Sequence, residues 1–85
     1  MSEYLLLKWG TLKGWDLTGN EKAIEILEKY EELGMCVSAM AQRDTTEQKQ
    51  LLCDLIMECK GPITNDSSGE QITKEQAVAY IKNYD

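Results

Sequence analysis

The stretch "EYLLLKWG", residues 3–10, holds the most apolar run of the chain and ends at a glycine. A short apolar run closed by a chain-breaking residue predicts a β-strand, and its apolar character favours a central place in a sheet. Successive side chains alternate between the two faces of a strand, so we expect Leu5, Leu7 and Trp9 on one face. Because the chain contains no phenylalanine, Trp9 is predicted to carry much of the aromatic core.

The second tryptophan, Trp15, comes after Gly10 and Gly14, which bracket a predicted turn or bulge. It lies beside Asp16 and between two hydrophilic stretches, so we expect it to be half exposed. Tryptophan is enriched among the residues that dominate binding interfaces, which makes Trp15 a candidate anchor for a partner. Covering the start of the following helix is the alternative role.

Three helices are predicted from capping boxes at their N-termini. In a capping box the N-cap side chain accepts a hydrogen bond from the backbone N–H three residues later, and the side chain of that later residue accepts one from the N-cap backbone N–H. The pairs are Thr18 with Glu21, Asp44 with Glu47, and Thr73 with Gln76. The first helix is expected to end near Gly34 and the second near Lys60, with a compact connection over 35–43.

Residues 63–73 predict a hairpin, with Ile63 and Ile72 as strand anchors and "NDSSG" as the turn. The element order is then β-α-α-β-β-α. The simplest layered arrangement is an α+β fold, a small antiparallel sheet of about three strands with helices packed on one side. A chain of 85 residues has room for one core, so a single domain over 1–85 is expected.

The composition excludes several classes of function. A net charge of −6 disfavours direct nucleic-acid binding and favours a basic protein as partner. The chain has no histidine, so imidazole metal sites and histidine-based catalysis are excluded. Cys36, Cys53 and Cys59 are odd in number and form no C-x-x-C pair, which indicates small buried residues rather than disulfides or a zinc site. We predict a protein that is not an enzyme and has no cofactor.

The apolar runs are too short to cross a bilayer, and the first residues lack the basic segment of a signal peptide. We therefore expect a cytoplasmic protein without membrane association.

A calcium loop is the strongest metal alternative. In "TNDSSGEQITKE", residues 64–75, aligning Gly69 with the sixth position of an EF-hand loop places Glu75 at the twelfth. The first position is then Thr64, which has no carboxylate, and Ile72 falls one residue late. The hairpin is therefore the preferred interpretation, and no metal site is predicted.

The second helix has an apolar arc wider than a helix lying on a sheet requires. Cys53 and Met57 extend a main stripe of Leu51, Leu52, Leu55, Ile56 and Cys59. Burial between other elements and burial against a second copy both explain such an arc. The second explanation predicts a homodimer with this main stripe as its interface.

The first helix carries four carboxylates on one predicted face. They follow a spacing of i, i+4, i+7 and i+11, and they are Glu21, Glu25, Glu28 and Glu32. A solvated, solubilising face is one interpretation. A docking surface for a basic partner, with Trp15 near its N-terminal end, is the functional one.

The segments "YLLLKWGTLKGWDL" (4–17), "SAMAQRDTTEQKQLLCDLI" (38–56) and "ITKEQAVAYIKNY" (72–84) resemble small uncharacterised proteins carried by bacteriophages and prophages. The resemblance covers most of the chain and brings no catalytic residues with it. It implies a phage-encoded protein in a bacterial cytoplasm that modulates or inhibits a basic host protein, such as a defence or nucleic-acid-binding factor.

Three hypotheses of function follow. The first is an acidic, non-catalytic binding protein that docks its first helix on a basic host protein. The second is a small-ligand binder with a pocket between helix and sheet, lined by Trp15, Tyr80 or Tyr84. The third is a structural accessory that acts through homo-oligomerisation.

Overall fold

The structure is a computed structural model that describes residues 3–33, 39–40 and 45–83. In chain order the elements are β1 (Tyr4–Lys8), β2 (Thr11–Asp16), α1 (Glu21–Glu32), β3 (Ala39–Met40), α2 (Thr46–Glu58), β4 (Ile63–Asn65), β5 (Gln71–Ile72) and α3 (Lys74–Asn83). The α+β class is confirmed. The predictions for Gly34, Cys36, Asp44 and Tyr84 fall outside the described residues.

The sheet has five strands in the order β3-β2-β1-β4-β5, so the prediction of a central β1 is confirmed and the count of about three strands is wrong. β1 pairs antiparallel with β2 and parallel with β4, so the sheet is mixed rather than antiparallel. A parallel pair needs a long crossover connection, which α1 and α2 supply. The predicted hairpin is confirmed as β4 and β5, with Ile63 opposite Ile72.

The three helices cover one face of the sheet, as predicted. Leu5 and Leu7 of β1 point to that face and are 0% and 2% exposed. Leu12 lies opposite Leu7 on β2, and Ile63 lies opposite Leu5 on β4; both join the same core. Alternation places Leu6 on the other face, where no helix of the described chain covers it.

The prediction that Trp9 lies in the core is wrong, since its side chain is 67% exposed. β1 ends at Lys8, and Trp9 with Gly10 forms a two-residue turn into β2. Both turn residues have positive φ, 51° and 75°, which is the pattern of a type I′ hairpin. The alternation that buries Leu5 and Leu7 stops at this turn, so the indole projects from the hairpin tip.

The predicted bulge before Trp15 is present within β2. Lys13 pairs with Leu6 and Asp16 pairs with Tyr4, so two residues of β2 stand opposite one residue of β1. Gly14 has a φ of +64° there, and a Cβ atom at this position would lie 2.8 Å from the Leu6 side chain. The bulge shifts the alternation, which turns Trp15 toward the core instead of the open face.

The wide apolar arc of α2 is explained by burial between other elements. α2 packs against α1 on one side and α3 on the other. The predicted dimer stripe therefore lies inside a single chain: Leu52, Leu55, Ile56 and Cys59 are 0% exposed, and Leu51 is partly buried. The four fully buried residues are not available as an interface, so their assignment to a dimer contact is wrong, whereas Leu51 is covered only in part.

A buried side chain, Asn20, joins the starts of β1 and α1 to the end of α2. Its Oδ1 accepts a hydrogen bond from the backbone N–H of Ala23, which caps α1. Its Nδ2 donates to the backbone oxygen of Glu58 at 3.0 Å and to the Glu3 carboxylate at 3.3 Å. The predicted cap, Thr18, instead donates its hydroxyl and N–H to the Asp16 carboxylate, which commits it to a tight turn.

The far end of the α1–α2 pair is joined by Gln48. Thr45 and Gln48 form the capping box of α2, one residue after the predicted pair. The Gln48 Nε2 donates to the backbone oxygen of Leu33 at the end of α1, which satisfies a terminal helix carbonyl. The predicted Thr73–Gln76 box of α3 is confirmed by bonds of 3.0 and 3.1 Å.

Replacing Asn20 with alanine is predicted to lower the free energy of unfolding by about 1–3 kcal/mol, because the cap of α1 and a buried hydrogen-bond donor are lost together. Urea denaturation measures the change. Asn20→Ser is the matched control: it keeps an N-cap oxygen without adding a charge beside Glu3, and it loses the amide donor to Glu58. A Ser variant as stable as the wild type would show that the cap alone matters.

The stability of the fold is predicted to fall at acidic pH because of Glu3. Its carboxylate accepts the backbone N–H of Lys60 at 2.6 Å, and this bond lowers the pKa of Glu3, with a smaller contribution from Asn20. A carboxyl whose pKa is lowered on folding adds stability above its unfolded pKa and loses it as pH falls through the folded pKa. Glu3→Gln should therefore destabilise at pH 7 and flatten the loss of stability below about pH 5. Urea denaturation of the wild type and of Glu3→Gln between pH 7 and the acidic range tests this. Parallel curves of stability against pH for the two proteins would contradict it.

Candidate functional site

The outer side of α1 carries the predicted acidic face, which we define as Glu21, Glu25, Glu28 and Glu32. All four side chains are exposed. Ala23 and Tyr30, on the opposite side of the helix, are 0% and 1% exposed and anchor α1 to the core. The helix period therefore places the four carboxylates together and away from the body of the protein.

Lysines offset the acidic face only in part. Lys29 Nζ lies 3.7 Å from the Glu25 carboxylate, and both side chains are largely exposed, so this pair contributes little. Lys22 Nζ lies 3.6 Å from Glu58 of α2, which draws its charge toward the neighbouring helix. The acidic face therefore keeps most of its negative charge.

An apolar cleft opens beside the acidic face. Its walls are Trp15 and Leu17 from the end of β2 and Ile24 and Leu27 from α1, and its volume is about 300 Å³. We call it the tryptophan cleft. Trp15 is partly buried and packs on the core, as predicted, while Ile24 remains 37% exposed. Ile24 lies three residues after Glu21 and four before Glu28, so the cleft borders the acidic face directly.

A rigid turn closes one end of the tryptophan cleft. Asp16 and Thr18 line it there. The Asp16 carboxylate accepts the Thr18 hydroxyl at 2.6 Å and the Thr18 N–H at 3.1 Å, and these bonds lower the pKa of Asp16. Asp16 therefore adds a fixed negative charge at the mouth of an apolar cleft.

This arrangement suits the recognition of a polypeptide. Four exposed carboxylates on one helix form a surface that is complementary in charge to a basic protein segment. The tryptophan cleft beside it, with Trp15 in its wall, exposes apolar surface. The predicted partner-binding residues thus lie together, and Ile24 and Leu27 join them.

The buried cysteines show no sign of a reactive or metal-binding site. Burial raises the pKa of the Cys53 and Cys59 thiols, which keeps them protonated. Among the residues that the structure describes, no three acidic or thiol side chains are placed to hold a metal ion. The calcium-loop alternative is contradicted, because Thr64 and Gln71 pair across the β4–β5 hairpin. No helix in the described ranges is long and apolar enough to cross a bilayer.

Sequence reasoning missed a second exposed surface at the tip of the β1–β2 hairpin. Trp9 and Tyr80 of α3 border a concavity of about 100 Å³ with Asn65 and Ser67, and Leu7 lies at its base. We call this the aromatic corner. The sequence did contain a feature that predicts this hairpin. Trp9 and Gly10 are two residues between two apolar runs, and glycine in the second position is typical of a tight β-turn. Trp15 and Tyr80, proposed together for a ligand pocket, line separate concavities.

Comparison of the chain with protein-family models, with curated proteins and with solved structures finds no match in any of the three. The candidate sites therefore rest on their own geometry.

The two tryptophans are predicted to contribute unequally to stability. Trp15→Ala should cost about 2–3 kcal/mol, somewhat below the range for a fully buried tryptophan. Trp9→Asn should instead raise stability by about 0.5–1 kcal/mol, because asparagine tolerates positive φ and a larger residue is strained there. Urea denaturation of both variants measures this. A loss of stability for Trp9→Asn as large as that for Trp15→Ala would contradict the exposure of the hairpin tip.

Proposed function

We propose that the protein is an acidic, non-catalytic binding domain that docks the outer side of α1 on a basic segment of another protein. The observation that carries the proposal is that two surfaces meet along α1: the acidic face on the helix, and the tryptophan cleft between the helix and the end of β2. Charge alone is typical of a solvated helix. The apolar cleft at its border supplies the shape and the anchoring contact that a specific complex requires.

Two contributions to the binding free energy support the proposed complex. Glu21, Glu25, Glu28 and Glu32 repel one another in the free protein, at a few tenths of a kcal/mol for each neighbouring pair. A partner's lysines or arginines relieve that repulsion and accelerate the encounter. An apolar side chain of the partner, seated between Trp15 and Ile24, then slows dissociation.

The resemblance to phage proteins supplies the biological setting of the proposal. A phage-encoded protein of this kind acts in the bacterial cytoplasm, and its partner is a basic host protein such as a defence or nucleic-acid-binding factor. The second helix is not the contact surface in this proposal, because its apolar stripe lies in the core.

The proposal is tested with a charge variant, Glu25→Gln/Glu28→Gln. The variant and the wild type are immobilised on separate supports, and both are exposed to the same bacterial lysate. The variant should fold with equal or slightly higher stability, because like-charge repulsion is removed. It should capture the partner more slowly and with a weaker dependence on salt. Surface plasmon resonance on the captured protein gives both quantities.

A matched control separates local charge from net charge. Glu70→Gln/Glu75→Gln removes the same number of carboxylates from exposed positions outside α1. It should capture the partner as the wild type does. Equal association rates and equal salt slopes for the two double variants would reduce the acidic face to a solubilising surface.

A further inference from the structure

The aromatic corner combines backbone strain with exposure. Trp9 is the one non-glycine residue with positive φ in the described chain, and it is 67% exposed. An L-residue in this conformation is disfavoured, and asparagine or glycine would relieve the strain. A large apolar side chain at such a position lowers the stability of the fold. Strain of this kind, together with exposure, points to a role outside the fold.

The corner is also preorganised. Lys8 Nζ lies over the Trp9 ring, 4.9 Å from its centre, within the range of a cation–π contact that favours one orientation of the indole. Across the concavity stands Tyr80, which is 44% exposed. The Asn65 Oδ1 accepts the Ser67 N–H at 2.9 Å, which directs the Asn65 Nδ2 away from that turn.

Hydrogen-bond donors surround the concavity. Within the described residues, no partner is found for the Trp9 indole N–H, the Asn65 Nδ2 or the Tyr80 hydroxyl. The indole N–H and the Asn65 Nδ2 can only donate, whereas the hydroxyls of Tyr80 and Ser67 can donate or accept. The two groups that only donate suit a ligand with an apolar ring and carbonyl acceptors. Proline residues have this composition, because each has a ring and a C=O group and none has an N–H.

The charges around the concavity determine which kind of residue is favoured beside the ligand's apolar ring. Lys13 Nζ lies 2.9 Å from the Asp66 carboxylate, so those two charges offset each other. Lys8 remains beside the indole and makes this corner basic on an acidic protein. From Tyr80 an open groove continues along α3 past Ala79 and Gln76, which gives an extended chain a path away from the concavity.

We propose that the aromatic corner binds a proline-rich segment of a partner protein in the polyproline II conformation, with an acidic residue beside the prolines. One proline ring enters the concavity between Trp9 and Tyr80, and backbone carbonyls of the segment accept from Asn65 and the indole. This recognition exploits a backbone that is already extended and free of internal hydrogen bonds. The site shares no residue with the acidic face or the tryptophan cleft.

The probe is a capped peptide of consecutive prolines that ends in two glutamates, titrated into ¹⁵N-labelled protein through about 1 mM. We expect saturable shifts of the Trp9 indole and Asn65 side-chain resonances. The Trp15 indole, in the same spectrum, should stay in place. A peptide ending in two lysines should bind more weakly by severalfold, and one with alanines for prolines should not bind.

Variants locate the site. Trp9→Asn should weaken binding at least about tenfold while the urea midpoint rises, which separates recognition from folding. Tyr80→Phe, which removes only the hydroxyl at a 44% exposed position, should bind more weakly with an unchanged fold. Tyr4→Ala is the matched control, because Tyr4 is an exposed aromatic at the opposite end of β1 and should bind as the wild type does.

Several results would overturn the inference. These are an absence of shifts with the proline peptide, full binding by Trp9→Asn, tighter binding of the lysine-ended peptide, or shifts confined to the Trp15 cleft. Shifts of the corner with the oligosaccharide maltohexaose and not with the peptide would assign the site to sugars instead. The Glu25→Gln/Glu28→Gln variant should bind the peptide normally, so failure here is distinct from failure of the α1 proposal.

Discussion

The buried amide of Asn20 determines how α1 lies on the rest of the protein. One side chain caps α1 through Ala23, donates to the last turn of α2 through Glu58, and meets Glu3 at the start of β1. These bonds join the chain's first strand to two helices that follow it. Together with the burial of Ala23 and Tyr30, they hold α1 with its acidic face pointing outward. The proposed binding surface exists because of this constraint.

Much of the fold could be predicted from local pattern. The apolar run at Leu5 and Leu7 identified the central strand, and the spacing of Ile63 and Ile72 identified the hairpin. Both features depend on a few adjacent residues. The parallel pairing of β1 with β4 could not be predicted in this way, because it depends on the packing of two helices between the strands.

The errors have physical causes. Trp9 continues the alternation of Leu5 and Leu7, but the strand ends one residue before it. Thr18 has the spacing of an N-cap, yet Asp16 takes its hydroxyl and Asn20 becomes the cap. The apolar arc of α2 predicted burial on two sides, and the sequence alone could not distinguish a neighbouring helix from a second copy.

The candidate site, too, could be predicted from the sequence only in part. The four carboxylates of the acidic face could be placed from helical period, since a helix surface depends only on spacing. The tryptophan cleft could not, because Trp15 and Ile24 belong to different elements and meet only after β2 bulges at Gly14. The aromatic corner likewise needs β1, β4 and α3 together. Surfaces built by one element are visible in sequence, and surfaces between elements require the fold. The outer side of α1 is acidic, whereas the hairpin tip carries an aromatic ring beside a lysine, so the two surfaces differ in chemical character.

Site-specific photo-crosslinking in bacterial cells tests the proposed role of α1 most directly, because it joins the surface covalently to any protein bound there. A photoreactive residue at Ile24 lies on the border of the acidic face and the tryptophan cleft. The same residue at Glu70, in an exposed turn, serves as the comparison. We predict that Ile24 crosslinks to a discrete basic protein and that Glu70 does not. Crosslinks from Glu70 alone, or the same products from both positions, would contradict α1 as the binding surface.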